Sequence, residues 1–324
     1  MMNKASTSFI PATGKQNIFC TFANNILFFI QYTLWWNYLT GKLVNRLICQ
    51  PRIILPTGSI YNSMDIIEHF ICGKHTTADC EDGVVITPHF AAVIDGSTSK
   101  TAFQLHPDMK NGRFAMTLIA HYIQQMPANA TIEHFCQGIT QVIANVYKER
   151  NLSERMHEHP EERLTASAII YSDTHHEVWM VGDCQAIIDG QHYDNSKPFE
   201  HTIALKRAQL ITSGMSTANA RHAIEPLLIK AMRQGQNLQY AVIDGTPIYM
   251  PGARVVKATS SVIIASDGYP TLFPTLSDTE EALAQHLAID PQNIHDFIAT
   301  KGCVTGNVSF DDRAYIRLSV TNAH

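Results

Sequence analysis

Beyond residue 63 the chain alternates short apolar runs with helical stripes, separated by turn residues. DIIEHFICG, GVVIT and FAAVID are β-branched and aromatic runs bounded by Gly, Pro and Asp, which predicts strands. The period then changes. In residues 113–126 the apolar positions are Phe114, Leu118, Ile119, Tyr122, Ile123 and Met126; in residues 131–150 they are Ile132, Phe135, Ile139, Val142, Ile143 and Val146. Both sets step by three and four, which lines one face of a helix. Residues 164–171, 177–181 and 185–188 predict consecutive antiparallel strands, and helices are expected around 218–232, 278–288 and 291–300. SVIIAS and the closing AYIRLSV are the last strands. Period-two alternation in AYIRLSV puts Ala314, Ile316 and Leu318 on the face toward the core, with Tyr315, Arg317 and Ser319 opposite. This order predicts an α+β fold: two antiparallel sheets packed face to face and flanked by helices.

Residues 1–63 read differently. Residues 16–41 carry no charge, and NILFFIQYTLWWNYL is rich in aromatics. The stretch is long enough to span a bilayer, although Asn24, Asn25, Gln31 and Asn37 dilute it. Lys4 and Lys15 precede it; Lys42, Arg46 and Arg52 follow, so flanking charge sets no orientation. No small-residue cleavage site accompanies it. Three readings stand: a membrane anchor over residues 17–40, a buried or partner-binding helix, or a segment outside the working protein with Met64 as its start. The expected organisation is an N-terminal extension, 1–63, and a catalytic domain, 64–324.

Composition narrows the function. The chain has 324 residues, 45% of them hydrophobic, enough for a substantial core. A net charge of −5 with no Lys/Arg run excludes general nucleic-acid binding. Seven scattered cysteines without a C-x-x-C pair argue against a disulfide scaffold or zinc ribbon and fit a reducing cytoplasm. The expected location is cytoplasmic; the alternative is anchorage through the N-terminal segment with the catalytic domain in the cytoplasm. Of the sixteen histidines, those in HEHPEE are expected in a polar loop and His175-His176 at a hairpin turn, not on a metal.

Four acidic signatures end or begin strands: Glu81-Asp82, Asp95-Gly96, Asp267-Gly268 and Asp311-Asp312. A strand that stops at Asp-Gly carries a carboxylate to a sheet edge, and four such edges can converge. Clustered carboxylates stay ionised together only with cations between them. Oxygen donors without Cys or His at matching spacing point to a hard metal, Mg²⁺ or Mn²⁺. A second VIDG, residues 242–245, reads instead as a turn at Asp244-Gly245.

In these residues the chain resembles the metal-dependent protein phosphatases of the protein phosphatase 2C family. The resemblance runs from Ile66 to Val320 and rests on motif order: an acidic pair before a strand, a strand ending Asp-Gly, WMVGDCQAIIDG with Asp183 at the motif aspartate, SVIIASDG, and a late Asp-Asp before the final strand. It implies a four-layer α-β-β-α sandwich with two Mg²⁺ or Mn²⁺ ions, and a looser third, in a cleft at one end of the sheets. Asp95 is then expected to bridge two ions, with the Gly96 carbonyl on the second. Asp267 and Asp311 are expected on the first ion, Asp82 on the second or orienting the attacking water, Glu81 as a weaker ligand, and Asp183 on the third ion. Asp82 and Asp95 are the expected catalytic residues, and Asp312 is expected to fix its loop through backbone hydrogen bonds.

The chain also departs from the family. GKHTTADCED lacks the arginine that often precedes the acidic pair and holds substrate phosphate, which leaves Lys74, His75, Lys100 and Arg113 as candidates. Ser97-Thr98-Ser99 follows Asp95-Gly96, and Cys184-Gln185 replaces the usual Ser-Arg. The implied activity is hydrolysis of phosphoserine and phosphothreonine on proteins, the targets of a serine/threonine kinase, in signalling. The alternatives are a non-catalytic sensor or scaffold and a phosphatase of small phosphorylated metabolites. Residues 189–257 are expected to form a flap beside the cleft that sets the choice.

Overall fold

The computed structural model of the chain describes residues 64–320. In chain order the strands are β1 (Met64–Cys72), β2 (Asp82–Ile86), β3 (Phe90–Gly96), β4 (Ala166–Ser172), β5 (Glu177–Val181), β6 (Gln185–Ile188), β7 (Gln191–Tyr193), β8 (Arg254–Lys257), β9 (Ser261–Ala265) and β10 (Arg313–Val320). The helices are α1 (Asn111–Gln125), α2 (Ile132–Glu149), α3 (Ser153–Glu158), α4 (Glu200–Thr212), α5 (Thr217–Gly235) and α6 (Leu276–Ile289). One sheet has the order β1-β10-β9-β6-β7 and the other β2-β3-β4-β5-β8. Every pairing within them is antiparallel.

The sheets pack face to face. Val93, Ile169, Tyr171 and Met180 from one meet Ile264, Ala314, Ile316 and Leu318 from the other. The alternation in β10 thus places its apolar set between the sheets, while Tyr315 packs outward with Leu272 and Leu283 under α6. On the far side α1 covers β2 and β3, and α2 packs on α1. Both faces of the central strands are therefore covered, so β4 reads ASAIIYS with every residue buried. The architecture is an α-β-β-α sandwich.

Three local expectations change. Residues 291–300 are not helical. The Asp290 carboxylate accepts the backbone N–H groups of Ile294 (2.9 Å) and His295 (2.8 Å), and Asn293 turns left-handed at φ 54°. Side-chain capture of those N–H groups competes with the helix. Helix α4 is an addition, in the stretch expected only as a flap. HEHPEE is not a plain loop: it closes α3 and continues into a 3₁₀ turn, Pro160–Glu162. The hairpin at His175-His176 is present, with His176 at φ 49°. Among the described residues no helix is long and apolar enough to cross a membrane. The readings of residues 1–63 concern a segment outside the described residues.

The 3₁₀ turn has a use in packing. Its Glu161, 5% exposed, takes a two-pronged contact from Arg233 of α5, one arm being Nε to Oε2 at 2.9 Å. The Arg233 hydrogen bonds hold the Glu161 carboxyl down at about 2, against burial, which would raise it. The folded value lies below the unfolded one of about 4.3, so its contribution is present above pH 4 and lost as pH falls through 2. Glu161→Gln should lower stability at pH 7 and flatten the acid loss between those values. Urea unfolding at a series of pH values measures both.

Candidate metal centre

Strand register builds the site. In the β2–β3 ladder Asp82 lies directly opposite Asp95, so both carboxylates emerge at one end of the same sheet. Asp183 sits in the turn between β5 and β6, next to Gly182 at φ 95°. A Cβ at Gly182 would lie 2.1 Å from Ser167 Oγ, so only glycine lets this turn close on β4. There Ser167 Oγ donates to Asp183 Oδ1 at 2.5 Å and accepts from Asp183 N at 3.2 Å. Asp267 follows β9 in the other sheet, and Asp311-Asp312 precede β10.

The structure brings Asp95, Asp183 and Asp267 into one group, with one carboxylate oxygen from each within 4.8 Å of the others. Asp183 therefore stands with Asp95 and Asp267. Asp82 adjoins through the ladder. Burial pushes the Asp82 and Asp95 carboxyls well above the ordinary carboxylate range, and neighbouring aspartates push further. Burial, Asp183 and Asp311 raise Asp267 to about 7. Burial also opposes ionisation of Asp183, but Lys197 holds it below its ordinary value. Asp311 is likewise held low, against burial, by Lys301 and Lys74.

A hard cation fits this donor set. Every donor is a carboxylate or carbonyl oxygen. Asp82 Oδ2 and Glu81 Oε1 are buried without a hydrogen-bond partner among the described residues. Burial and repulsion between neighbouring aspartates drive three carboxyls toward protonation. Unpartnered buried oxygens are costly, and a divalent ion satisfies them.

The remaining predicted residues divide sharply. Glu81 is 1% exposed; its Oε2 accepts from Thr98 Oγ1 at 2.6 Å and its carbonyl accepts from Gly96 N at 3.1 Å. Gly96 packs so tightly that a Cβ would lie 2.3 Å from the Gly112 carbonyl. Lys74 is spoken for: its ammonium lies 2.9 Å from Asp311 Oδ1 and 3.3 Å from Asp312 Oδ2. Arg113 donates to the Cys80 carbonyl at 2.6 Å and so braces the loop before β2. His75 is exposed on that loop. Lys100 alone of the four lines the cavity, about 580 Å³, onto which Asp95, Asp183, Asp267 and Asp311 open. Phe199 and Tyr240 from the flap form part of its wall.

Sequence reading passed over Lys197 and Lys301. Lys197, just before α4, pairs with Asp183, and Lys301 pairs with Asp311. Neither lies in a motif. The only signal was a lysine ten residues before a known acidic pair.

Asp311 and Asp312 have different tasks. Asp312 Oδ1 accepts from Lys74 N at 2.7 Å and its Oδ2 from Glu81 N at 3.1 Å, so it ties the loop before β2 to β10. Asp311 faces the cavity. Asp311→Asn should lose Mn²⁺ affinity sharply, and Asp312→Asn should cost mainly stability, about 1 kcal/mol. Mn²⁺ titration of both variants checks this; a larger affinity loss for Asp312→Asn reverses the assignment.

No protein-family model matches the chain, and no curated protein matches it. Solved structures similar to it include serine/threonine phosphatases. The phosphatase PstP/Ppp of Mycobacterium tuberculosis is 12% identical, covering 80% of this chain and 99% of its own, with a TM-score of 0.38. Stp1 of Staphylococcus aureus is 15% identical, covering 83% and 100%, with a TM-score of 0.40. RsbX in complex with magnesium is 13% identical, covering 79% and 99%, with a TM-score of 0.39. Superpositions this loose decide nothing about the site, which stands on its own geometry.

Proposed function

We propose that the chain is a Mg²⁺- or Mn²⁺-dependent phosphatase of phosphoserine and phosphothreonine in proteins. The observation that carries the reading is the half-buried group Asp95, Asp183 and Asp267 lining a cavity, with the unpartnered Asp82 oxygen beside it. The ordered motifs support it independently. Asp95, Asp183 and Asp267 would hold the ions, with Asp311 and the Gly96 carbonyl at the margin. Bound there, hard divalent ions supply charge neutralisation on the phosphoryl oxygens and activation of a water nucleophile. Asp82 would orient that water through its free oxygen. Ser167 keeps Asp183 in its rotamer, and Asp312 keeps Glu81 and Lys74 in register with β10. The flap residues Phe199 and Tyr240 would exclude bulk water from one side.

One feature favours a second reading, a non-catalytic relative. Lys74, Lys301 and Lys197 already supply positive charge to Asp311 and Asp183. Phosphate release from phosphoserine and phosphothreonine peptides, with Mn²⁺ and with EDTA, separates the readings. Hydrolysis that EDTA abolishes is expected. Hydrolysis of small phosphorylated metabolites but not of peptides overturns the substrate class. Mn²⁺ binding without turnover of any ester gives the second reading.

A further inference from the structure

Among the described residues, one lysine lining the cavity, Lys100, has no aspartate partner. Lys74, Lys197 and Lys301 each face an aspartate. Among the described residues the Lys100 ammonium has one acceptor, the Thr98 carbonyl, and no carboxylate within ion-pair distance. It nevertheless lines the same cavity as Asp95 and Asp267. A half-buried ammonium without a counter-ion is unfavourable. Its two remaining N–H donors have a natural partner in an anion entering the cavity.

The turn that carries Lys100 is fixed to the acidic site. Ser97 N donates to the Thr165 carbonyl at 2.9 Å, which ties the turn to the start of β4. Thr98 Oγ1 donates to Glu81 Oε2 at 2.6 Å and accepts from Lys74 Nζ at 3.3 Å. Thr98 then presents its carbonyl to the Lys100 ammonium. Glu81 thus has a second task besides any ion: it anchors the turn that aims Lys100. Arg221 of α5 donates to the Thr300 carbonyl at 2.8 Å, which holds the residue next to Lys301.

We propose that Lys100, aimed by Thr98 and Glu81, is the receptor for the dianionic phosphoryl group of the substrate. The proposal rests on the phosphatase reading and deepens it by giving the substrate phosphate its anchor. Lys74 and Arg113 are committed to Asp311 and to the Cys80 carbonyl. A phosphate monoester suits this place better than a carboxylate: it has oxygens to offer both to ions held by the aspartates and to the ammonium, and a contact with the ammonium would be charge-assisted. Burial and the neighbouring charges of Lys301, Arg221 and Lys197 bring the Lys100 ammonium down to about 7, a repulsion that an anion between them relieves.

The test is calorimetric titration of inorganic phosphate into the Mn²⁺-loaded full chain, for wild type, Lys100→Met, Lys100→Arg and Thr98→Val. Lys100→Met should weaken phosphate binding by about tenfold or more, while Lys100→Arg stays within about threefold of wild type. Mn²⁺ affinity should be unchanged in both. Thr98→Val, which loosens the aim and keeps the charge, should raise KM for p-nitrophenyl phosphate more than it lowers kcat. Wild-type phosphate affinity in Lys100→Met overturns the proposal, as does a wild type that takes up Mn²⁺ but no phosphate. If Lys100→Met fails to fold, Thr98→Val with wild-type KM and phosphate affinity overturns it equally. A wild type that binds Mn²⁺ and phosphate but hydrolyses no ester defeats the phosphatase reading and leaves the anion site standing.

Discussion

Asp95→Asn and Asp267→Asn should each reduce Mn²⁺-dependent hydrolysis by about a hundredfold or more while the protein remains folded. Asparagine keeps the volume of aspartate, so no cavity opens in the sandwich. What it removes is negative charge from a carboxyl that, among the described residues, has no ion-pair partner of its own. The metal-free protein therefore should not lose stability with either change. Asp267 gives the sign a pH test. Its folded value, about 7, lies above the unfolded one of about 3.9. The group's contribution is thus present below pH 4 and lost as pH rises through 7. Metal-free wild type should weaken from pH 5 to pH 8, and Asp267→Asn should blunt that fall. Thermal unfolding in EDTA at the two pH values reads it. Near wild-type turnover by either variant with Mn²⁺ removes these residues from the site.

The largest effect on stability is expected away from the ions, at Asp244. This residue is 0% exposed. Its Oδ2 lies 2.9 Å from Arg163 Nη1, and its Oδ1 accepts from Asn237 Nδ2 at 2.9 Å and from Thr246 N at 2.8 Å. Its carbonyl accepts from Tyr147 Oη at 2.9 Å, and the preceding Ile243 bridges to Ala166 at the start of β4. Asp244→Ala leaves the Arg163 guanidinium, 10% exposed, without its counter-ion. Breaking a buried pair in this way costs about 3–5 kcal/mol. Urea unfolding with an unchanged m-value measures it. A loss under about 1 kcal/mol, the scale of an exposed pair, would show that water reaches the site.

The sandwich was legible because its strands carry their own signals. Val93 and Ile94 lead into Asp95-Gly96, and Ile263 and Ile264 lead toward Asp267-Gly268. In β10, alternation alone placed Ala314, Ile316 and Leu318 between the sheets. The turn at Asp244-Gly245 was also readable, with Gly245 at φ 86°, though not that its carboxylate is the hub of a buried network. Helix α4 was not legible. It buries Arg207, 2% exposed, whose guanidinium donates to the Gln292 carbonyl at 2.7 Å and the Ala299 carbonyl at 3.2 Å. Sequence patterning counts arginine as a solvent-facing residue, so the buried face was hidden. Residues 291–300 failed for the opposite reason: their composition permits a helix, but Asp290 takes the N–H groups. Lys74, Lys197 and Lys301 belong to the site through tertiary contacts, and Lys74 is 237 residues from Asp311. No local period encodes such a pairing.

If the clustered carboxylates hold divalent ions, calorimetric titration of Mn²⁺ into the full chain, alongside Asp95→Asn, will show it. Wild type should bind Mn²⁺ saturably, with EDTA reversing it, and Asp95→Asn should lose most of that affinity. Wild type that takes up no Mn²⁺, or Asp95→Asn that binds it as tightly as wild type, would contradict this.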